Sequence, residues 1–147
     1  AHGETNAMVV QEGCMCLTLL CIDNADNRNA VTSAGGLHVL VSVLRTIGAQ
    51  HATVAKLCME SLSTVAGQNA EYKQAIASAG GLEAVVSAVL THGGNHAGVA
   101  EMGCFTLGLL PRAPNVLRVY ETPKVLRVYQ ALLFALRARQ WSALVVS

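Results

Sequence analysis

The sequence predicts an all-α protein built as an α-solenoid, and three observations carry that prediction. The chain matches itself on a shift of 45 residues: Asn24-Ala25, Ser33-Ala34-Gly35-Gly36-Leu37, Val41-Ser42 and His51-Ala52 recur as Asn69-Ala70, Ser78-Ala79-Gly80-Gly81-Leu82, Val86-Ser87 and His96-Ala97. The same register reaches back two periods, since Gly13-Cys14 and Leu17 fall on Gly103-Cys104 and Leu107, with Leu62 between them. Within each copy the apolar residues follow a helical period, as Val54, Cys58, Leu62 and Val65 do, and not the alternation of a strand. A repeat in the forties made of helical patterns is the signature of stacked units that bury their cores only against their neighbours.

Residues 5–22 match only the last part of a repeat, so they are expected to form a single helix equivalent to its third. Residues 23–67 form the first complete unit. Asn24 and Asp26 suit a helix start and Gly35-Gly36 a helix stop, which predicts a short first helix over 24–34. Residues 36–47 are apolar on nearly every face, so this second helix is expected to be sandwiched. After the turn Gly48-Ala49-Gln50, a third helix is predicted from His51 to Ala66, closed by Gly67. Residues 68–112 repeat the plan, with helices expected over Asn69–Ala79, Gly81–His92 and His96–Leu110. The remaining segment, 113–147, has lost the repeat. There Thr122-Pro123 is a helix start, and the helix it opens towards Ser147 is apolar around most of its circumference.

Two stretches, NRNAVTSAGGLHVLVSVL followed by HATVAKLCMESLSTVAG, and NAEYKQAIASAGGLEAVVSAVL followed by HAGVAEMGCFTLGLL, resemble the armadillo repeat family. The likeness rests on the apolar-Ala-Gly-Gly-Leu corner between the first two helices and on the Leu62–Gly67 close of the third. It covers residues 5–112. HEAT repeats use two helices and usually lack that corner. The resemblance implies a right-handed α-solenoid of armadillo-like three-helix repeats, with third helices lining a concave side that binds a peptide or partner protein. Armadillo domains that bind nuclear-localisation signals carry a Trp and an Asn four residues apart on successive third helices. The matching positions here are Met15 and Leu19, Glu60 and Thr64, and Phe105 and Leu109, so that cargo is not implied.

Helical arithmetic places the exposed face of the third helices opposite the core stripe. On the complete repeat it carries Lys56, Glu60, Ser63 and Thr64; the equivalents are Gln11, Met15, Thr18 and Leu19 before it, and Glu101, Phe105, Gly108 and Leu109 after it. The partner-binding residues expected from this are Gln11, Met15, Leu19, Lys56, Glu60, Thr64, Glu101, Phe105 and Leu109. Met and Phe on such a face are anchors for a partner's apolar side chains.

Nothing in the sequence forms a catalytic constellation, and the expected function is a non-catalytic interaction scaffold without cofactor or metal. His92 and His96 are four apart, but Gly93-Gly94 breaks the helix that would align them, while His51 and His96 recur beside turns as helix-start residues. Cys14-Met15-Cys16 puts its two thiols on different sides of a helix and is not a CxxC site. The Gly-Gly pairs lack the Lys-Ser/Thr of a phosphate loop. Five cysteines, three of them at neighbouring core-facing registers (Cys14, Cys58, Cys104), read as reduced packing thiols and point to an intracellular setting, cytoplasm or nucleus.

Composition shapes the alternative reading. Hydrophobic residues make up 52% and charged residues 13%, a thin charged shell. Residues 1–111 hold eight acids against four bases, whereas 112–147 hold six bases against one acid, Glu121. The basic stretch lacks the stacking aromatics and Gly-rich loops of nucleic-acid binders, and no run of apolar residues approaches a membrane span. A first residue other than Met and an apolar end at Leu144-Val145-Val146 lead us to expect a fragment of a longer array. In that case the chain could be a structural segment that self-associates through its apolar ends, with no ligand of its own.

Overall fold

The computed structural model describes the chain from His2 to Pro111, with side chains from Asn6 onward. The expectations for 113–147, the helix after Thr122-Pro123 among them, lie outside the described residues. Within these the protein is all-α, with seven helices and no strand: α1 (His2–Cys21), α2 (Ala25–Ser33), α3 (Gly36–Thr46), α4 (Ala52–Ala66), α5 (Ala70–Ser78), α6 (Gly81–His92) and α7 (Ala97–Leu109). One long helix is therefore followed by two copies of a short–medium–long triplet. The α1 helix starts at His2, earlier than the self-match with α4 reaches.

Local chemistry explains each boundary. Asn24 caps α2 by accepting the Asn27 amide at 3.0 Å, and Asn69 caps α5 by accepting those of Glu71 and Tyr72 at 2.8 and 3.1 Å. Both corners turn on a left-handed glycine: Gly35 and Gly80 each have φ 79°. The following glycines serve a different need. A Cβ on Gly36 would sit 2.8 Å from the Val31 carbonyl oxygen, and one on Gly81 2.7 Å from that of Ile76, so only glycine lets the second helix leave so close to the first. Past α1, Asn27 and Arg28 reach back to donate to the orphan carbonyls of Leu20 and Cys21 at 2.6 and 3.1 Å.

The long helices pack side by side, with α4 between α1 and α7, while α3 and α6 pack on each other and on α4 and α7. The stripe Val54, Cys58, Leu62 and Val65 is fully buried, joined by Met59, Leu37, Leu44, Leu82, Val85 and Leu107. At about 25 cal/mol per Å² of apolar surface removed from water, this shared core is the main stabilising term. The expectation of a sandwiched second helix holds for α6, where Leu82, Ala84, Val85, Val86, Ala88 and Val89 are buried. It fails for α3. There only Leu37, Leu40, Val41 and Leu44 are buried, and Val39 is 60% exposed because no described helix covers that side. No residue of α2 is buried.

Polar ties between the copies recur at nearly one period. The Thr18 and Ser61 hydroxyls pair at 2.9 Å, those of Ser63 and Thr106 at 3.0 Å. The Tyr72 hydroxyl donates to Asn29 Oδ1, and His92 Nε2 lies 2.9 Å from the Gly48 carbonyl. Arg45 donates to the Ala79 carbonyl at 3.1 Å, pinning the second corner to the end of the preceding α3.

Candidate functional site

Two flanks of α4 are occupied by neighbouring long helices, and what remains outward is the candidate site. Cys58 and Ser61 meet α1, through Sγ–Sγ contact with Cys14 at 3.6 Å and hydrogen bonds to Thr18 and the Cys14 carbonyl. Ser63 and Met59 meet α7, where Thr106 bonds the Ser63 hydroxyl and approaches the Met59 carbonyl at 3.4 Å. With Leu62 buried behind, the 100° step of the helix leaves Lys56, Glu60 and Thr64 facing away from the core, all three half-buried.

All nine residues expected on this face are at least partly accessible. On α1, Gln11 is half-buried while Met15 and Leu19 are exposed, Leu19 by 71%. On α7, Glu101 and Phe105 are exposed, Phe105 by 57%, and Leu109 is half-buried. Three rows of three, at equivalent positions 45 residues apart, thus run across α1, α4 and α7. Lys56 and Glu60 form an i,i+4 ion pair at 3.5 Å, both side chains 38% exposed. The Lys56 stem leans over α7, where a Cβ on Gly98 would come within 3.2 Å of its Cδ.

Two further expectations need correction. Thr18 and Ser63 are buried and belong to the interhelix hydroxyl pairs, not to the outward face. Each sits about 60° round the helix from the outward direction set by Met15 and Glu60, on the flank that the next long helix covers. One residue of the face was missed: Met8, exposed and two turns before Met15, occupies the position of Thr53 and Gly98. Extending the helical period of Met15 back by seven residues would have found it.

The thiols divide by environment. Cys14, Cys21 and Cys58 are buried and Cys104 is half-buried, but Cys16 is exposed, so the packing role does not extend to it. The hydrogen bond from Cys58 holds the Cys14 thiol below the ordinary range, against the desolvation that opposes it, with help from Ser61. The same bond, then burial, pushes Cys58 strongly up. Burial also raises Cys21, against the nearby Arg28 charge, and Cys104. His51 and His96 are the residues before α4 and α7, as the sequence implies, yet neither side chain caps its helix.

Among the described residues no group of three or more His, Cys, Asp or Glu is placed to hold a metal ion, and no single helix is long and apolar enough to cross a membrane. The chain matches no family model, no curated protein and no solved structure.

Proposed function

We propose that this protein is an armadillo-like α-solenoid acting as a non-catalytic scaffold, which binds a peptide or partner protein along the outward face of α1, α4 and α7. The observation that carries this reading is the pattern on that face. Exposed Met8, Met15 and Leu19 lie on one side and Phe105 on the other, with the Lys56–Glu60 pair between them. Large exposed apolar side chains around a small polar centre suit a ligand with two apolar anchors flanking a polar or charged middle. Packed helix axes are about 8–10 Å apart, which puts the α1 and α7 rows roughly 16–20 Å apart. An extended peptide rising ~3.3 Å per residue would span that distance in about five to six residues. Localisation inside the cell, in cytoplasm or nucleus, belongs to the same reading and rests on cysteines that serve as buried packing residues.

The test is selection of binders from a random peptide library on the intact chain, followed by titration against variants. Selected peptides should carry apolar residues about five to six apart. Phe105→Ala should weaken them by roughly 30-fold, the loss of ~2 kcal/mol typical of an aromatic anchor. Its melting temperature should stay nearly that of the parent. Peptides that bind Phe105→Ala and Met15→Glu as well as the parent would overturn the reading.

A further inference from the structure

The 45-residue register makes the two ends of the described array complementary to each other, and that complementarity points to an interaction surface distinct from the peptide face. On α4 the stripe Val54, Cys58, Ser61 and Val65 is completely buried, and its central pair meets α1. The stripe recurs as Val99, Gly103 and Thr106 on α7 and Leu110 just past its end, buried again, with the central pair against α4. One period earlier it is Val9, Gly13, Cys16 and Leu20 on α1. Here it is open: Val9 is 67% exposed, Leu20 52%, Cys16 is exposed, and a Cβ on Gly13 would meet nothing within 4 Å. At Gly103, the equivalent of Gly13, a Cβ would run into Val89 at 2.1 Å.

The partner positions are equally regular. What meets this stripe on α1 is Cys14 and Thr18, and on α4 it is Met59 and Ser63. The third members of those two series are Cys104 and Gly108 on α7. Cys104 is half-buried, while Gly108 is exposed with open space where its Cβ would be. We propose that the open stripe of α1 docks α7 of a second copy of this chain, head to tail, repeating for a third time the contact that α1 makes with α4 and α4 makes with α7. The same two surfaces then remain free at the ends of each assembly, so the contact is heterologous and extends beyond a dimer unless geometry closes it. In this register Gly108 of one copy faces Cys16 of the next, as Thr18 faces Ser61 and Ser63 faces Thr106.

Gly108→Cys in the full chain tests this directly. Its new thiol lies on α7 and Cys16 on α1, with α4 between them, so a bond joining the two can form only between copies. Under copper-phenanthroline, which removes the two electrons as the thiols lose their protons, non-reducing electrophoresis should show dimers and higher species. Peptide mass spectrometry should place the link at 16–108. Cys16→Ser should abolish it. The parent's average mass in sedimentation equilibrium should rise with concentration, and Leu20→Glu should remove that rise while leaving unchanged the melting temperature measured at a concentration where the parent is monomeric. The peptide face is untouched by Leu20→Glu, so this result is separable from the peptide selection. A mass that stays monomeric at all concentrations overturns the proposal and leaves the stripe to another occupant. So do links between two Cys16 residues, and 16–108 links that persist in Leu20→Glu.

Discussion

Each corner of the fold rests on two adjacent glycines that are needed for different reasons. Gly35 has φ 79° and open space around it, so a side chain there meets only the backbone penalty of the left-handed region. Gly35→Val should therefore cost more than ~1 kcal/mol in denaturant unfolding, and Gly35→Ala less than Val, because β-branching tightens the penalty. Gly36 lies one residue on, where even Ala must push the Val31 carbonyl away. Gly36→Ala should destabilise by at least ~1 kcal/mol through that collision, and a neutral result at both positions would contradict the corner geometry. The thiols supply a second prediction at this scale. Cys21, Cys58 and Cys104 have raised values in the fold, and Cys14 has a lowered one. Above about pH 8.5 an unfolded thiol ionises while the three raised thiols of the folded chain stay protonated. The unfolded state then binds fewer protons, so stability falls as pH rises; Cys14, whose value is lowered, opposes this only below that range. Urea unfolding should show a lower midpoint at pH 9.5 than at pH 7.5, with a reducing agent present throughout. A midpoint that rises would refute the assignment.

Among the elements, the long helices are held in register by hydroxyl pairs as well as by apolar packing. Thr18 and Ser61 are both buried, and the one Ser61 hydroxyl proton is shared between the Cys14 and Leu57 carbonyls, which leaves its oxygen to accept from Thr18; removing either hydroxyl breaks that bond inside a buried interface. A double-mutant cycle of Thr18→Val and Ser61→Ala should return a coupling of about 1 kcal/mol, and a coupling near zero would show that the pair is incidental. These pairs also mark the limit of what the sequence discloses. The core stripe of α4, the asparagine caps, the glycine corners and the triplet order follow from periodicity and the self-match, because each depends on residues near in the chain. A helix wheel puts Ser63 and Thr18 on the outward face because it shows an angle and not which angles a neighbour fills. The apolar circumference of residues 36–47 implies burial all round, yet no described helix reaches Val39. Gly103 gives no signal as a contact point, since its requirement comes from Val89, on a different helix. The outward face itself is legible in the sequence apart from Met8, which the period reaches, and Thr18 and Ser63, which a neighbouring helix covers.

Along the described helices, stability should be graded, because α4 packs against long helices on both flanks whereas α1 and α2 have fewer described neighbours. The α4 helix has long helices on both flanks and nine buried residues, whereas α2 has none and is held by its cap, by Val31 and Thr32, and by the ties through Asn27 and Arg28. Opening α4 exposes the shared core and so costs nearly the global unfolding free energy, while opening α2 exposes little apolar surface. The α1 helix falls between them, buried along one flank by α4 and open along the Val9–Leu20 stripe. Hydrogen exchange followed by mass spectrometry, at concentrations low enough to keep the chain monomeric, should rank amide protection as α4 first, then α6 and α7, then α1, with α2 fastest. Raising the protein concentration should slow exchange in α1 and α7 and leave α2 unchanged, since only the first two lie in the head-to-tail contact. Protection of α2 equal to that of α4 would mean that the chain unfolds as one block, and that the neighbour-by-neighbour account of its stability is wrong.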